Sequence, residues 1–332
     1  MSTYVQSLSD GALALGRAFA RPGIYVLALA ALAVWAVAYQ VKQPYVVDVA
    51  DMAHHPYISG FHDVETRPDD PTDRYRWSTG SPTVFIPGTG NQPVVVTLTT
   101  IGARPGGKPP PVEIEARGQR FTVQTAAEQR TDSFVLERGD ALDGDVRLRM
   151  SVPAFTPPGD PRQLGVIIRR VEVAPANFDL RPVVVPSLST LGGLLAGAAG
   201  LFALLAVTTR RHRLALTVAG IAAALGVAGI AFARPETAFL AGQLPSLAGW
   251  TFALGLSARA LLDAALAGRR NSGLAAAAGS LAFALAFALR FGGVTYAQFL
   301  TSDLVLHVHN VQSVLQGVWV FTEPVPDGTL VP

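Results

Sequence analysis

Hydrophobic positions along the chain follow two rhythms. Residues 23–41, GIYVLALAALAVWAVAYQV, are 19 positions without a charge, enough for a helix to cross about 30 Å of hydrocarbon. Further apolar stretches at 185–208, 214–233, 238–262 and 273–290 are rich in Ala, Gly and Leu, and small residues let membrane helices approach closely. The stretch 238–262 is the least continuous, with Pro245 inside it and Arg259 and Asp263 near its end. Between the first and second stretches the rhythm changes to alternation. PTVFIP (82–87), PVVVTLTT (93–100), PVEIEA (111–116), RFTVQT (120–125), SFVLER (133–138), DVRLRMSV (145–152) and LGVIIRRVEV (164–173) each predict a short strand. Turn residues such as Pro87-Gly88, Gly106-Gly107 and Gly139-Asp140 separate them. Strands spaced by about ten residues predict an antiparallel sandwich or jelly roll.

The fold class expected is therefore an integral membrane protein of about five transmembrane α-helices with one exported antiparallel β-sandwich. Its parts are a cytoplasmic N-terminus (1–22), a membrane anchor (23–42), the sandwich (43–182), four further spans (183–290) and an external loop (291–332). Arg17 and Arg21 before the first run, with Ala36-Val37-Ala38 inside it, also fit a cleaved signal peptide. The length of the run and of the residues before it favours an uncleaved anchor.

Charge orients this arrangement. Residues 43–182 hold 15 Lys and Arg against 18 Asp and Glu, while the rest of the chain holds 11 against 6. The excess of bases flanks apolar runs: Arg17 and Arg21, Arg210-Arg211-His212-Arg213, and Arg269-Arg270. Five spans put all three clusters on one side, facing Lys42, Arg181, Arg234 and Arg290 singly on the other. The positive-inside rule then places the N-terminus in the cytoplasm of a bacterial cell and the sandwich beyond its inner membrane. The sequence pI of about 9.1 is thus no nucleic-acid footprint, because no basic face interleaved with aromatics accompanies it. The absence of cysteine excludes disulfides, thiolate metal sites and a cysteine nucleophile.

Two segments resemble known families. Gly60, Phe61, Glu65, Arg76, Trp77, Pro87, Gly88, Asp160, Arg162, Leu164, Gly165 and Val166 carry a resemblance, over residues 60–174, to the lumenal or periplasmic β-sandwich at the front of some bacterial membrane glycosyltransferases. Such modules are similar to galactose-binding-like folds. The resemblance implies a glycan-binding role in which Trp77 stacks on a sugar face while Glu65 and Arg76 bond hydroxyls. The plainer alternative packs Trp77 in the core and pairs Glu65 with Arg76 at its edge. Residues 273–324, an apolar helix followed by TSDLVLHVHNVQSVLQG (301–317), resemble the first helix and first external loop of polyprenyl-phosphate-sugar-dependent, protein-mannosyltransferase-like membrane glycosyltransferases. That resemblance makes Asp303 the catalytic base or acceptor-site residue. Many members carry an acidic pair there, whereas this chain has Asp303-Leu304.

At about 100° per residue, Asp303, His307 and Asn310 share one helical face and Leu304, Val308, Val311 and Leu315 an adjacent apolar one. Such a helix lies in the membrane interface. Asp303 there could take a proton from an acceptor hydroxyl, with His307 orienting it and Asn310 binding ligand. Asp303 and His307 could also hold a divalent cation, although two ligands are fewer than such ions require. Alternatively, Thr301, Ser302 and Asp303 simply cap the helix. The glycine-rich GTG (88–90) and GARPGG (102–107) lack the context of a phosphate loop, and no acidic residue lines an ion path through the spans. The function expected is sugar transfer from a polyprenyl-phosphate donor to an extracytoplasmic acceptor, by the N-terminal portion of such an enzyme, since a complete one needs more spans. The alternative is a non-catalytic membrane subunit whose sandwich binds a glycan or a partner protein. Membrane lipid, a polyprenyl-phosphate sugar and other membrane subunits are the partners expected.

Overall fold

The computed structural model describes residues 2–67, 69–104, 107–139, 144–179 and 183–295, with two short strands beyond them. Helix α1 (Ser2–Phe19) meets α2 (Pro22–Ala38) at a 59° bend. Pro22 produces it: a proline opens a helix well but donates no hydrogen bond to continue the preceding one. Strands β1 (Tyr45–Asp48) and β2 (Ile58–Phe61) flank a 3-10 turn, and β3 (Glu65–Thr66) pairs with β4 (Arg74–Tyr75). There follow β5 (Ser78–Ile86), β6 (Val94–Ile101), β7 (Pro111–Ala116), β8 (Gln119–Gln124), β9 (Arg130–Leu136), β10 (Val146–Ser151) and β11 (Ile167–Pro175). Helices α3 (Leu188–Thr209), α4 (His212–Phe232), α5 (Arg234–Ala265) and α6 (Ser272–Thr295) complete the main body. Strands β12 (Glu323–Pro324) and β13 (Leu330–Val331) pair with each other.

The strands form two facing sheets in which every pairing is antiparallel. One has the order β1-β11-β6-β9 and the other β2-β5-β10-β7-β8. Alternate residues point inward, as the two-residue period of a strand requires. Ile86, Leu98, Ile114, Leu136, Leu148 and Ile168 fill the space between the sheets and are essentially inaccessible. This is a β-sandwich. The β7–β8 hairpin turns on Arg117 and Gly118, both at positive φ (48° and 73°), the type I′ geometry that matches strand twist.

The number of spans differs from the sequence expectation. Among the described residues, α3, α4 and α6 are long and apolar enough to cross a membrane, and the bent α1–α2 pair adds a fourth if taken as one span. The expectation of five rested on 238–262 and on 23–41 alone. Within α5, Arg234, Glu236, Gln243, Pro245, Arg259 and Asp263 dilute the apolar character, and α2 has only 17 residues. Even so, α5 packs alongside α3. A side-chain carbon on Gly193 would lie 2.0 Å from the Ala241 oxygen, on Gly197 2.8 Å from Leu244, and on Gly200 2.5 Å from Ala248. Both indices rise together, so the two helices run parallel. In the same way α2 runs parallel to α4: Gly23 lies against Leu216, Leu27 against Gly220 and Trp35 against Gly226, and Trp35 Nε1 donates to the Ala223 carbonyl at 2.9 Å.

These contacts give the helical bundle two unlike ends. At one end Arg17, Arg21, Arg210 and His212 surround a common cleft. Arg259 there donates to the Thr208 carbonyl and pairs with Asp263 at 3.0 Å. At the other end the sandwich is seated. A side-chain carbon on Gly88 would come within 2.5 Å of Ala238, and one on Gly144 within 2.5 Å of Ser187. Tyr57 Oη donates to Glu236 at 3.1 Å, and Phe239 of α5 meets the rings of Tyr57 and Phe85 edge-on at 5.0 and 6.0 Å. Arg234, assigned above to a flanking position, is instead buried at this junction.

Candidate functional site

The outer face of the five-stranded sheet carries a cleft of about 660 Å³. Alternation along β10 sends Leu148 and Met150 into the core, so Arg147 and Arg149 must point outward. Register places Arg147 opposite Phe85 of β5, and Arg149 opposite Thr83 of β5 and Glu115 of β7. The floor is thus Phe85, Arg147, Arg149 and Glu115, while Arg117, Gly118, Arg138, Gly139 and Asp145 form the wall.

These arginines divide into two kinds. Arg117 fastens the wall: it donates to the carbonyls of Gln92 at 2.8 Å and Gly90 at 3.1 Å. Arg138 donates to the Val183 carbonyl at 2.9 Å, tying the wall to the segment before α3. The side chains of Arg147 and Arg149 are exposed and make no hydrogen bond or ion pair among the described residues; Arg147 lies over the Phe85 ring, 4.5 Å from its centre. Four guanidinium groups face two carboxylates, and Asp145 already accepts from the Gly88 amide at 2.7 Å. The cleft is therefore electropositive, and a planar guanidinium suits carboxylate or phosphate oxygens. Nothing in the sequence motifs singled it out, although the alternation of DVRLRM already put Arg147 and Arg149 on one exposed face.

The residues named from sequence lie elsewhere. Trp77 is half-buried outside the main core, edge-on to Phe155 with ring centres 5.9 Å apart, and Arg104 lies 5.0 Å from the Phe155 ring centre. Arg76 is buried, with Nη2 3.3 Å from the Met52 sulfur and Nε without a partner. Glu65 pairs with Arg162 at 2.7 Å, and Arg162 also grips Asp160 at 2.7 Å. The structure thus joins Glu65 to a residue far along the chain and leaves Arg76 in a separate, enclosed setting. Asp303, His307 and Asn310, with the whole segment 301–317, lie outside the described residues, as does Arg181. Among the described residues no group of three or more His, Cys, Asp or Glu is placed to hold a metal.

The Glu65–Arg162–Asp160 network predicts an acid response. Hydrogen bonds from the Arg162 side chain, and then from its backbone amide, hold the Asp160 carboxyl down at about 2. A carboxyl depressed on folding stabilises the fold above its ordinary range, and that contribution is lost as pH falls through the folded value. The apparent melting temperature of the detergent-solubilised chain should therefore acquire a slope between about pH 4 and pH 2. Asp160→Asn should flatten that slope; an unchanged slope would remove Asp160 from the acid response.

No family model matches the chain, and no curated protein matches it. Among solved structures, it is similar to the C-terminal CBM6 of LamC from Zobellia galactanivorans, at 8% identity and a TM-score of 0.26, over 40% of this chain and 99% of that one. A family 35 carbohydrate binding module from Clostridium thermocellum gives 11% identity and a TM-score of 0.28, over 39% of this chain and 98% of that one. The CBM36-1 domain of a multidomain xylanase from the hindgut metagenome of Trinervitermes trinervoides gives 9% and 0.25, over 41% and 99%. The sandwich described above follows from its own strand registers and core.

Proposed function

We propose that this protein is a membrane-held glycan-binding protein, and that its sandwich presents an arginine-lined cleft to an acidic saccharide outside the cytoplasm. The cleft carries the reading: Arg147 and Arg149 project from a central strand of the five-stranded sheet, their side chains without a hydrogen bond or ion pair among the described residues and that of Arg147 over the Phe85 ring. Placing those arginines on a rigid strand lowers the ordering cost of binding. Charge-assisted, forked hydrogen bonds would select carboxylate-bearing sugars over neutral ones. The three basic clusters gathered at the far end of the bundle support an orientation with the sandwich outside. The donor and acceptor of a transferase reaction rest on Asp303, beyond the described residues, and form no part of this proposal.

The test is calorimetry on the full chain in detergent, comparing oligogalacturonate with a neutral maltooligosaccharide of equal length. Oligogalacturonate is expected to bind and the neutral chain to bind at least tenfold more weakly. The double variant Arg147→Ala/Arg149→Ala should weaken acidic binding by roughly 10- to 100-fold, the range for loss of charged hydrogen bonds. Equal binding of both sugars, or an unaffected double variant, would overturn the assignment.

A further inference from the structure

The end of the bundle opposite the sandwich holds a second cleft, about 360 Å³, between α1 and the α3–α4 turn. Arg17 and Arg21 reach it from the α1–α2 corner, and Arg210 and His212 from the turn; Asp10 is the one acidic residue on its lining. The guanidinium groups of Arg17, Arg21 and Arg210 are exposed and make no hydrogen bond or ion pair among the described residues, with Asp10 or any other. The cleft therefore presents unpaired positive charge to an entering anion.

Three further observations point the same way. The N-terminus of α4 opens into this region with Arg211 at the cap, no side-chain cap hydrogen bond and no acidic residue in its first turn. Bases at a helix N-terminus oppose the macrodipole, whereas an anion there would accept the free amides. His212 Nδ1 is enclosed and has no hydrogen-bond partner. Arg210 ends α3 in the left-handed conformation (φ 57°), a position that glycine usually fills. The level is set by α3, which ends here, and α4, which begins here, both long and apolar enough to cross a membrane. On α1, Val5 and Leu13 expose more than half their surface, while Gly11 packs against Leu256, as in a helix lying in the interface.

We infer that this cleft binds the phosphate of an anionic phospholipid headgroup. The guanidinium groups and the α4 amides would surround the phosphate oxygens, and the acyl chains would run beside the exposed apolar side chains. The inference rests on the membrane placement of α3 and α4 and is independent of what the sandwich binds.

Native mass spectrometry of the detergent-solubilised full chain tests it, with dioleoyl phosphatidylglycerol and dioleoyl phosphatidylcholine titrated in parallel. The expected result is preferential retention of phosphatidylglycerol, reduced roughly tenfold or more in Arg17→Gln/Arg210→Gln, since each base near a lipid surface contributes about a fivefold factor. Inorganic phosphate at millimolar concentration should leave the lipid bound. Arg269→Gln/Arg270→Gln, in the third basic cluster, should keep the preference and serves as the control for overall charge. Equal retention of the two lipids, a preference lost in both double variants, or displacement by inorganic phosphate would each overturn the inference. Arg17→Gln alone, on the exposed side of α1, provides a variant that preserves the fold and should lower retention by itself.

Discussion

Arg234→Ala is expected to loosen the junction between sandwich and bundle and to lower the stability of the full chain by about 3 kcal/mol or more, as when a buried charge network loses its centre. The side chain is 1% exposed. Its Nε donates to the Ile230 carbonyl at 3.1 Å, and Nη2 donates to the carbonyls of Tyr39 at 3.1 Å and Val41 at 2.6 Å. The guanidinium also lies over the Tyr39 ring, 4.6 Å from its centre. The last carbonyls of any helix lack intrahelical partners, and here one fork serves the ends of α2 and α4 together. Alanine would leave those carbonyls buried without donors, at a cost of about 1–3 kcal/mol for each group not reached by water. Arg234→Lys should recover only part of the loss, because an ammonium lacks the planar fork. Denaturant titration in mixed micelles, followed by tryptophan fluorescence, measures the effect. A transition within about 0.5 kcal/mol of the parent, the range of surface changes, would show that the junction does not depend on this side chain.

The same residue shows where sequence reading stops. A single arginine beside an apolar run reads as an interfacial anchor, and only the return of α2 beside α4 turns it into a buried cap. The strands were more legible. From β5 to β11 they fall on the alternating segments, because a strand with one buried face writes its period into the sequence. Strands β1 and β2 were not legible: each has four residues, and the 3-10 turn between them, with His54, His55 and Pro56, breaks any period. The cleft was half legible. Alternation exposes Arg147 and Arg149, but their wall comes from Arg117 and Arg138, brought alongside by the order β5-β10-β7 and the β7–β8 hairpin. Glu65 and Arg162 are 97 residues apart, and no local pattern announces such a pair. The segment 1–22 has no long apolar run, so α1 is visible only as an amphipathic period whose small residues, Gly11 and Ala18, face the bundle.

Gly193→Ala should be the most damaging single-methyl change in the bundle, costing about 2–3 kcal/mol at the upper end of overpacking effects. The added carbon would stand 2.0 Å from the Ala241 oxygen and 2.6 Å from its carbonyl carbon. Both are backbone atoms, so no rotamer change relieves the clash, and α3 and α5 must separate along the line that Gly197 and Gly200 continue. Helix association in a membrane depends on such close packing rather than on hydrophobic exclusion. Separation near residue 193 would also disturb the start of α5, where Arg234 and Ala238 meet the sandwich. Gly192→Ala provides the comparison: the same change one position earlier meets nothing within 4 Å and should stabilise slightly, because alanine favours helix by about 1 kcal/mol over glycine. Thermal unfolding of the two variants in one detergent decides the matter. Opposite signs are expected, and equal losses would remove the close approach of Gly193 to the Ala241 backbone as the cause of the damage.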